Sequence, residues 1–372
     1  MSPGPVHIPP SLLAGLEPMH HRTDSFREIV RDSSRMLSGL VASSGKVFLL
    51  TMSGTGAMES AVVNLTGPGT RVLVVSGGKF GDRWAEIARV YGCLTATLRF
   101  GHGERVAPEA VSRRVEEEAP EVLFLTHVES STGLLVEIED ILRAIPEPRP
   151  VVVVDAIASI ASEELKMDEW GIDLVVGAGQ KALAAPAGIS FVVAGEKARR
   201  LWLENRRPAY YMAFSAYEAG LQAGDTPFTP AVQSVQVLHR SLESIFDEGA
   251  ENVRLRHSLY SRIFMDAMSP AGLKPFPAVP SSSVQALAVP DGIDAGMIIR
   301  SLRESRNIVV TGGQGDLSGR IIRTGFLGIH RPHAIRALAE GIADALGYQG
   351  HAADRDAIDK VLSAIDECPH DA

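Results

Sequence analysis

Seven short runs of apolar, largely β-branched residues constrain this chain most. They are "KVFLLT" (46–51), "RVLVVS" (71–76), "CLTATLRF" (93–100), "EVLFLTHV" (121–128), "VVVVDAIA" (151–158), "IDLVVGA" (172–178) and "ISFVVAG" (189–195). Several are continuous rather than alternating. A strand with no polar face has both faces buried, which is the condition of a parallel sheet sandwiched between helices. Helical stretches at 56–65, 80–91, 107–118 and 137–145 separate most of the runs. Strand and helix in alternation predict an α/β fold with crossover connections.

The organisation changes along the chain. Residues 1–22 are rich in Pro, His and Gly and read as an extended arm. Residues 25–42 have helical spacing. A large domain over 23–240 holds the seven strands. Beyond it the pattern predicts a small α+β domain over 241–372. That region opens in one long helical stretch, 232–268. It continues with "SVQALAVP", the helical "AGMIIRSLRES", strands at "NIVVTGG" and "GRIIRTGF", a helix over 333–346 and a last helix in the tail. A length of 372 residues is consistent with two domains.

Composition removes several function classes. The net charge is −9, so no basic face for nucleic acid is expected. No run of eighteen apolar residues is present, so no membrane span is expected. The start, "MSPGPVHIPP", has no basic stretch leading into an apolar one, and no signal peptide is read there. The two cysteines, Cys93 and Cys368, form neither a CxxC nor a metal spacing. That fits a reducing cytoplasm and no metal site.

Five places carry chemistry. Lys181 stands in "VVGAGQKALAAPAG", among small and apolar residues. It is either a surface lysine on a turn or a Schiff-base lysine whose burial frees the amine. Asp155 ends four valines, at the strand end where open α/β sheets place ligands. It is either a helix N-cap or the anion that keeps a pyridinium nitrogen protonated. "TMSGTGAMESAV" runs from a strand through small residues into a helix, as a phosphate-binding turn does, without a Walker or GxGxxG spacing. Phe80 follows a glycine pair after a strand, and is either core or a ring that stacks on a flat cofactor. Arg323 lies in an apolar strand. It needs an anion, either an internal acid or a substrate carboxylate.

Taken in order, these pieces resemble pyridoxal-phosphate enzymes of the aspartate aminotransferase fold, fold type I. "SGTGAMES", "GGKFGDR", "HVESSTG", "VDAIAS", "GAGQKALAAPAG", "TPFTPA" and "IRTGFLG" resemble class V aminotransferases, in particular the alanine–glyoxylate, serine–glyoxylate and serine–pyruvate group. The resemblance spans nearly the whole chain. It implies that Lys181 and Asp155 are catalytic, with Lys181 joined to the cofactor and Asp155 on its ring nitrogen. It implies that Phe80 and Ile157 flank the ring, and that Thr55, Gly56, Ala57 and Gln180 hold the phosphate. Ser131 and Thr132 would lie beside the ring oxygen and the substrate. Arg323 would bind the α-carboxylate. Thr226 and Thr229 would reach a neighbour's phosphate in a homodimer with shared active sites. Relatives often carry Tyr where Thr226 stands. His21, in "HHRTDSF", would line the mouth of the site.

The implied activity moves an amino group from alanine or serine to glyoxylate or pyruvate by a ping-pong cycle. A 2-aminoethylphosphonate-type transaminase, a lyase on the same fold and a non-catalytic subunit stay open. A cysteine desulfurase does not fit, since "TGGQGDLSG" (311–319) lacks the cysteine that chemistry needs. The stretch "RRPAYYMAFSAYEAGLQ" (206–222) reads as either a lid over the pocket or an interface strip, with a mobile active-site segment the preferred reading.

Overall fold

In the computed structural model, which describes residues 1–205, 208–329 and 332–366, the seven runs form one sheet. Its spatial order is 46–50, 190–194, 174–178, 151–155, 122–126, 71–76, 94–99. The five strands from 174–178 to 94–99 are mutually parallel. Strand 190–194 runs antiparallel to both of its neighbours.

The continuous apolar runs have a simple cause. Val152 and Val154 join one core with Leu73, Val75, Leu123 and Leu125. Val151 and Val153 join the other core with Val72, Val74, Val122 and Phe124. Successive side chains point to opposite faces, and helices cover both. Each such side chain contributes roughly 1.5–3 kcal/mol on full burial.

A second sheet has the order 274–275, 284–288, 321–325, 311–312, all antiparallel. It packs with helices Ala250–Met268, Ala295–Arg306, Pro332–Tyr348 and Arg355–Asp366 around its own core. Arg323 pairs in register with Ala286 on one side and Thr311 on the other.

Several expected elements differ. The stretch 232–268 is two helices, Val232–Glu248 and Ala250–Met268. Gly249 separates them at φ +90°, a conformation open to glycine. "NIVVTGG" yields only the two-residue strand Thr311–Gly312. Asn307 takes φ +53° to cap the preceding helix, and the chain needs the next residues to reach the sheet edge. The arm is not wholly extended, since Pro10–Leu13 makes one helical turn. The segment 206–222 contains the helix Phe214–Gln222, while Arg206 and Arg207 lie outside the described residues, as does Cys368. No helix among the described residues is long and apolar enough to cross a membrane.

Candidate active site

The parallel strands deliver their C-terminal ends to one edge. Asp155 is the last residue of its strand, beside Thr126 and Val176 in register. Its backbone then turns, so it caps no helix; Oδ1 accepts from Ile157 N at 2.8 Å. Burial pushes its carboxyl up to about 7, and the nearby Glu129 charge adds to this. The Ile157 N–H, Lys181 and Arg83 oppose it.

Lys181 follows the adjacent strand, in a turn held by Ala184 N to Lys181 O (2.9 Å) and Ala185 N to Gly179 O (2.8 Å). It is not a solvated surface lysine. Burial lowers its pKa to about 8, with Arg323 adding to the effect and Asp155 resisting it. Nζ donates to the Pro3 carbonyl. The N-terminal segment lies directly on this lysine: a Cβ on Gly4 would stand 2.6 Å from Lys181 Cδ. Val6 N donates to Gln180 O at 3.1 Å, and Thr324 Oγ1 to Met1 O at 2.8 Å.

Arg323 is buried and makes no ion pair among the described residues. Nε donates to Gly312 O at 2.9 Å and Nη1 to Ser130 O at 2.6 Å. Burial pulls its pKa down, and Glu129 pulls the other way. Two carbonyl acceptors leave its positive charge uncompensated by a bonded anion, which is the condition for binding a carboxylate.

The small-residue turn after strand 46–50 leads into a helix, as the sequence predicts. Helix Gly54–Leu65 is N-capped by Ser53, whose hydroxyl accepts from Gly56 N at 3.4 Å. Ala57 N donates to Ser53 O at 3.1 Å. The N–H groups of Gly56 and Ala57 therefore have internal partners. The first two helical N–H groups, on Gly54 and Thr55, are the ones a helix start leaves open to an anion. Thr55 Oγ1 accepts from Arg83 Nη1 at 3.0 Å. The Arg83 guanidinium carbon lies 4.7 Å from the Phe80 ring centroid. Ile157 reaches this turn, since a Cβ on Gly54 would meet its Cδ1 at 2.6 Å.

The edge thus brings Lys181, Asp155, Ile157, Phe80, Thr55, Ser131 and Thr132 together, and the second sheet adds Arg323 through its bond to Ser130 O. His21 and Thr226 form a separate group. They line a small cavity with Phe26, Arg27, Leu221 and Asp225. No hydrogen bond or ion pair among the described residues joins His21 to Lys181, Asp155 or Arg323; its ring stacks on His20 instead. Asp225 anchors this group, 2.8 Å from Arg22 Nη1 and 3.3 Å from Arg27 Nη2.

Three participants were not read from the sequence. Glu129 is a buried carboxylate in the midst of the site. Arg83 bridges Phe80 and Thr55. The Pro3–Gly4 backbone covers Lys181. The acid inside "HVESSTG" and the base inside "GGKFGDR" were the available signals.

The residues fit pyridoxal phosphate. Beside Lys181, Gln180 Oε1 is a buried polar atom with no hydrogen-bond partner among the described residues. Asp155 is a buried acid that a ring cation would hold ionised. Beside it are a desolvated lysine and an open helix start, the requirements of such a group. Among the described residues, no group of three or more His, Cys, Asp or Glu is arranged to hold a metal ion.

Comparison with known proteins agrees. The family model for class-V aminotransferases matches residues 14–324. The chain is similar to a soluble hydrogenase small subunit of Synechococcus sp., 32% identical and covering 94% of this chain and 93% of that one. It is similar to the alanine–glyoxylate aminotransferase of Rattus norvegicus, 30% identical over 93% of this chain and 86% of that one. In fold it matches the ureidoglycine–glyoxylate aminotransferase of Bacillus subtilis, with a TM-score of 0.94, 24% identity and coverage of 99% and 97%.

Proposed function

The chain belongs to the class-V aminotransferases and is a fold type I enzyme that uses pyridoxal phosphate, and on that premise we propose that it moves an amino group from alanine or serine to glyoxylate or pyruvate. The observation that carries the choice is Arg323. It is a buried guanidinium of the second sheet, bonded among the described residues only to carbonyls, and close enough to Lys181 for its charge to help lower the pKa of that amine. One such clamp suits one α-carboxylate. A small donor and a small 2-oxo acid then share the position in turn, as a ping-pong cycle requires. Glyoxylate in the names of two proteins similar to this chain supports the acceptor.

When bound, pyridoxal phosphate supplies an aldehyde that takes up amines and a ring that withdraws electrons. The chain's residues do the rest. Asp155 would pair with the ring nitrogen and keep a proton there. Phe80 and Ile157 would flank the ring, and Gly54, Thr55 and Gln180 would receive the phosphate. Lys181 Nζ moves the proton at the donor's α-carbon, and its low pKa leaves a useful fraction unprotonated near neutrality. Ser131 and Thr132 border the substrate. Arg323 fixes the carboxylate, so the α-carbon is presented to Lys181.

Absorption spectroscopy tests the reading. L-alanine or L-serine is expected to bleach the visible band of the holoenzyme, and glyoxylate or pyruvate to restore it. Bleaching by 2-aminoethylphosphonate alone would replace the proposed donor. A band that none of these donors changes would refute the transfer.

A further inference from the structure

The first three N–H groups of helix Lys79–Val90 find their acceptors in one distant turn. Gly78 stands at the N-cap and has no side chain to offer. Instead Lys79 N donates to Ser131 Oγ at 3.1 Å, and Phe80 N and Gly81 N both donate to Glu129 Oε2 at 3.0 Å. The other oxygen, Oε1, accepts from Ser131 N at 3.1 Å and from the Ser131 hydroxyl. Glu129 is only 1% exposed. Burial raises its pKa, and the hydrogen bonds from Ser131, Gly81 and Phe80 work against that rise.

The same turn ends on Arg323. The Ser130 carbonyl, between Glu129 and Ser131, accepts the 2.6 Å bond from Arg323 Nη1. The junction has no slack. A Cβ on Gly78 would stand 2.4 Å from Ser131 Oγ and 2.8 Å from Glu129 Cδ. One carboxylate therefore ties the helix that presents Phe80 to the turn that holds Arg323.

We infer that Glu129 is a positioning residue, which sets the Phe80 ring and the Arg323 guanidinium in one register so that cofactor ring and substrate carboxylate are braced together. This rests on the roles proposed above for Phe80 and Arg323. A carboxylate suits the place because every group hydrogen-bonded to its two oxygens is a donor. A glutamine would direct its own NH2 at N–H groups.

The test uses Glu129→Gln and Gly78→Ala holoenzymes. The readouts are the Kd for pyridoxal phosphate in reconstitution, the visible circular dichroism of the bound cofactor, and the KM for L-alanine or L-serine, whichever the unaltered enzyme uses. In Glu129→Gln, the Kd and KM are both expected to rise about tenfold, with an altered dichroic band and a smaller change in kcat. Gly78→Ala displaces the same carboxylate without removing it, and is expected to give the same paired signature more weakly. It also decides the matter if Glu129→Gln does not fold. A folded variant with a lower unfolding temperature, but with Kd, KM and dichroism within twofold of the unaltered enzyme, overturns the inference. An unaltered protein that binds no pyridoxal phosphate would defeat the proposed function itself, a result visible before any variant is compared.

Discussion

Lys181 and Asp155 are each displaced from their ordinary titration by burial, in opposite senses. For Asp155 the folded-state pKa, about 7, stands above the ordinary value of 3.8. Its contribution to stability in the cofactor-free protein is fully present below pH 3.8 and is lost as pH rises through about 7. Lys181 has a folded-state pKa of about 8 against 10.5. Its contribution is present above pH 10.5 and lost as pH falls through about 8. Asp155→Asn is therefore expected to gain stability relative to the unaltered cofactor-free protein between pH 5 and pH 8. Urea midpoints at the two pH values measure this, and a pH-independent difference would contradict the buried-acid picture. In the holoenzyme, Lys181→Ala is expected to lose the visible band and to lower amino-group transfer about 10²–10⁴-fold. Retention of the rate would remove Lys181 from the chemistry. These residues were legible because each breaks its surroundings: a lysine among alanines, an aspartate after valines, an arginine in an apolar strand. Glu129 was not, because its meaning lies in N–H groups of residues 80 and 81, which only the folded backbone brings to it. The internal acceptors of the Gly56 and Ala57 N–H groups were hidden for a related reason. Ser53 looks like a neutral member of the turn, yet as N-cap it takes the Gly56 N–H.

At the scale of elements, the sheet was readable from its apolar runs because burial on both faces leaves no polar position. Two cores then use alternate residues of every strand. Helix ends were harder. The 3.6-residue period continues across Gly249, and nothing in the apolar pattern marks the break between Glu248 and Ala250. The break is a backbone matter. With φ +90° and ψ 119°, the position admits glycine and strains any residue with a Cβ. Gly249→Ala is expected to destabilise the protein by about 1–3 kcal/mol, measured by denaturant unfolding. A stabilised variant would mean that the two helices can merge into one. The truncated strand at 311–312 follows the same logic. Asn307 in the left-handed region ends one helix, and the residues after it serve as a connection rather than as strand.

At the scale of the molecule, one face differs from the rest. Tyr210 is 84% exposed, and Tyr211 is exposed as well. Both pack against Phe228, with ring centroids 5.6 and 5.1 Å away. Phe228 lies between Thr226 and Thr229, the two residues assigned to a neighbour's phosphate by the resemblance. Exposed aromatic clusters of this kind mark association surfaces. If the proposed homodimer shares its sites through this loop, association and cofactor binding must be linked. Whatever separates the subunits then removes Thr229 from the neighbouring phosphate. Tyr210→Asp with Tyr211→Asp places two charges on that face, where a buried unpaired charge is costly. The doubly substituted protein is expected to sediment as a smaller species. Its affinity for pyridoxal phosphate should fall about tenfold in the same concentration range, as subunit linkage demands. Thr229→Ala should weaken cofactor binding while leaving the sedimentation unchanged, because it removes a phosphate contact and not the interface. A tyrosine variant that dissociates but binds the cofactor as before would show each site to be complete within one chain. The 226–229 loop would then have to serve its own subunit.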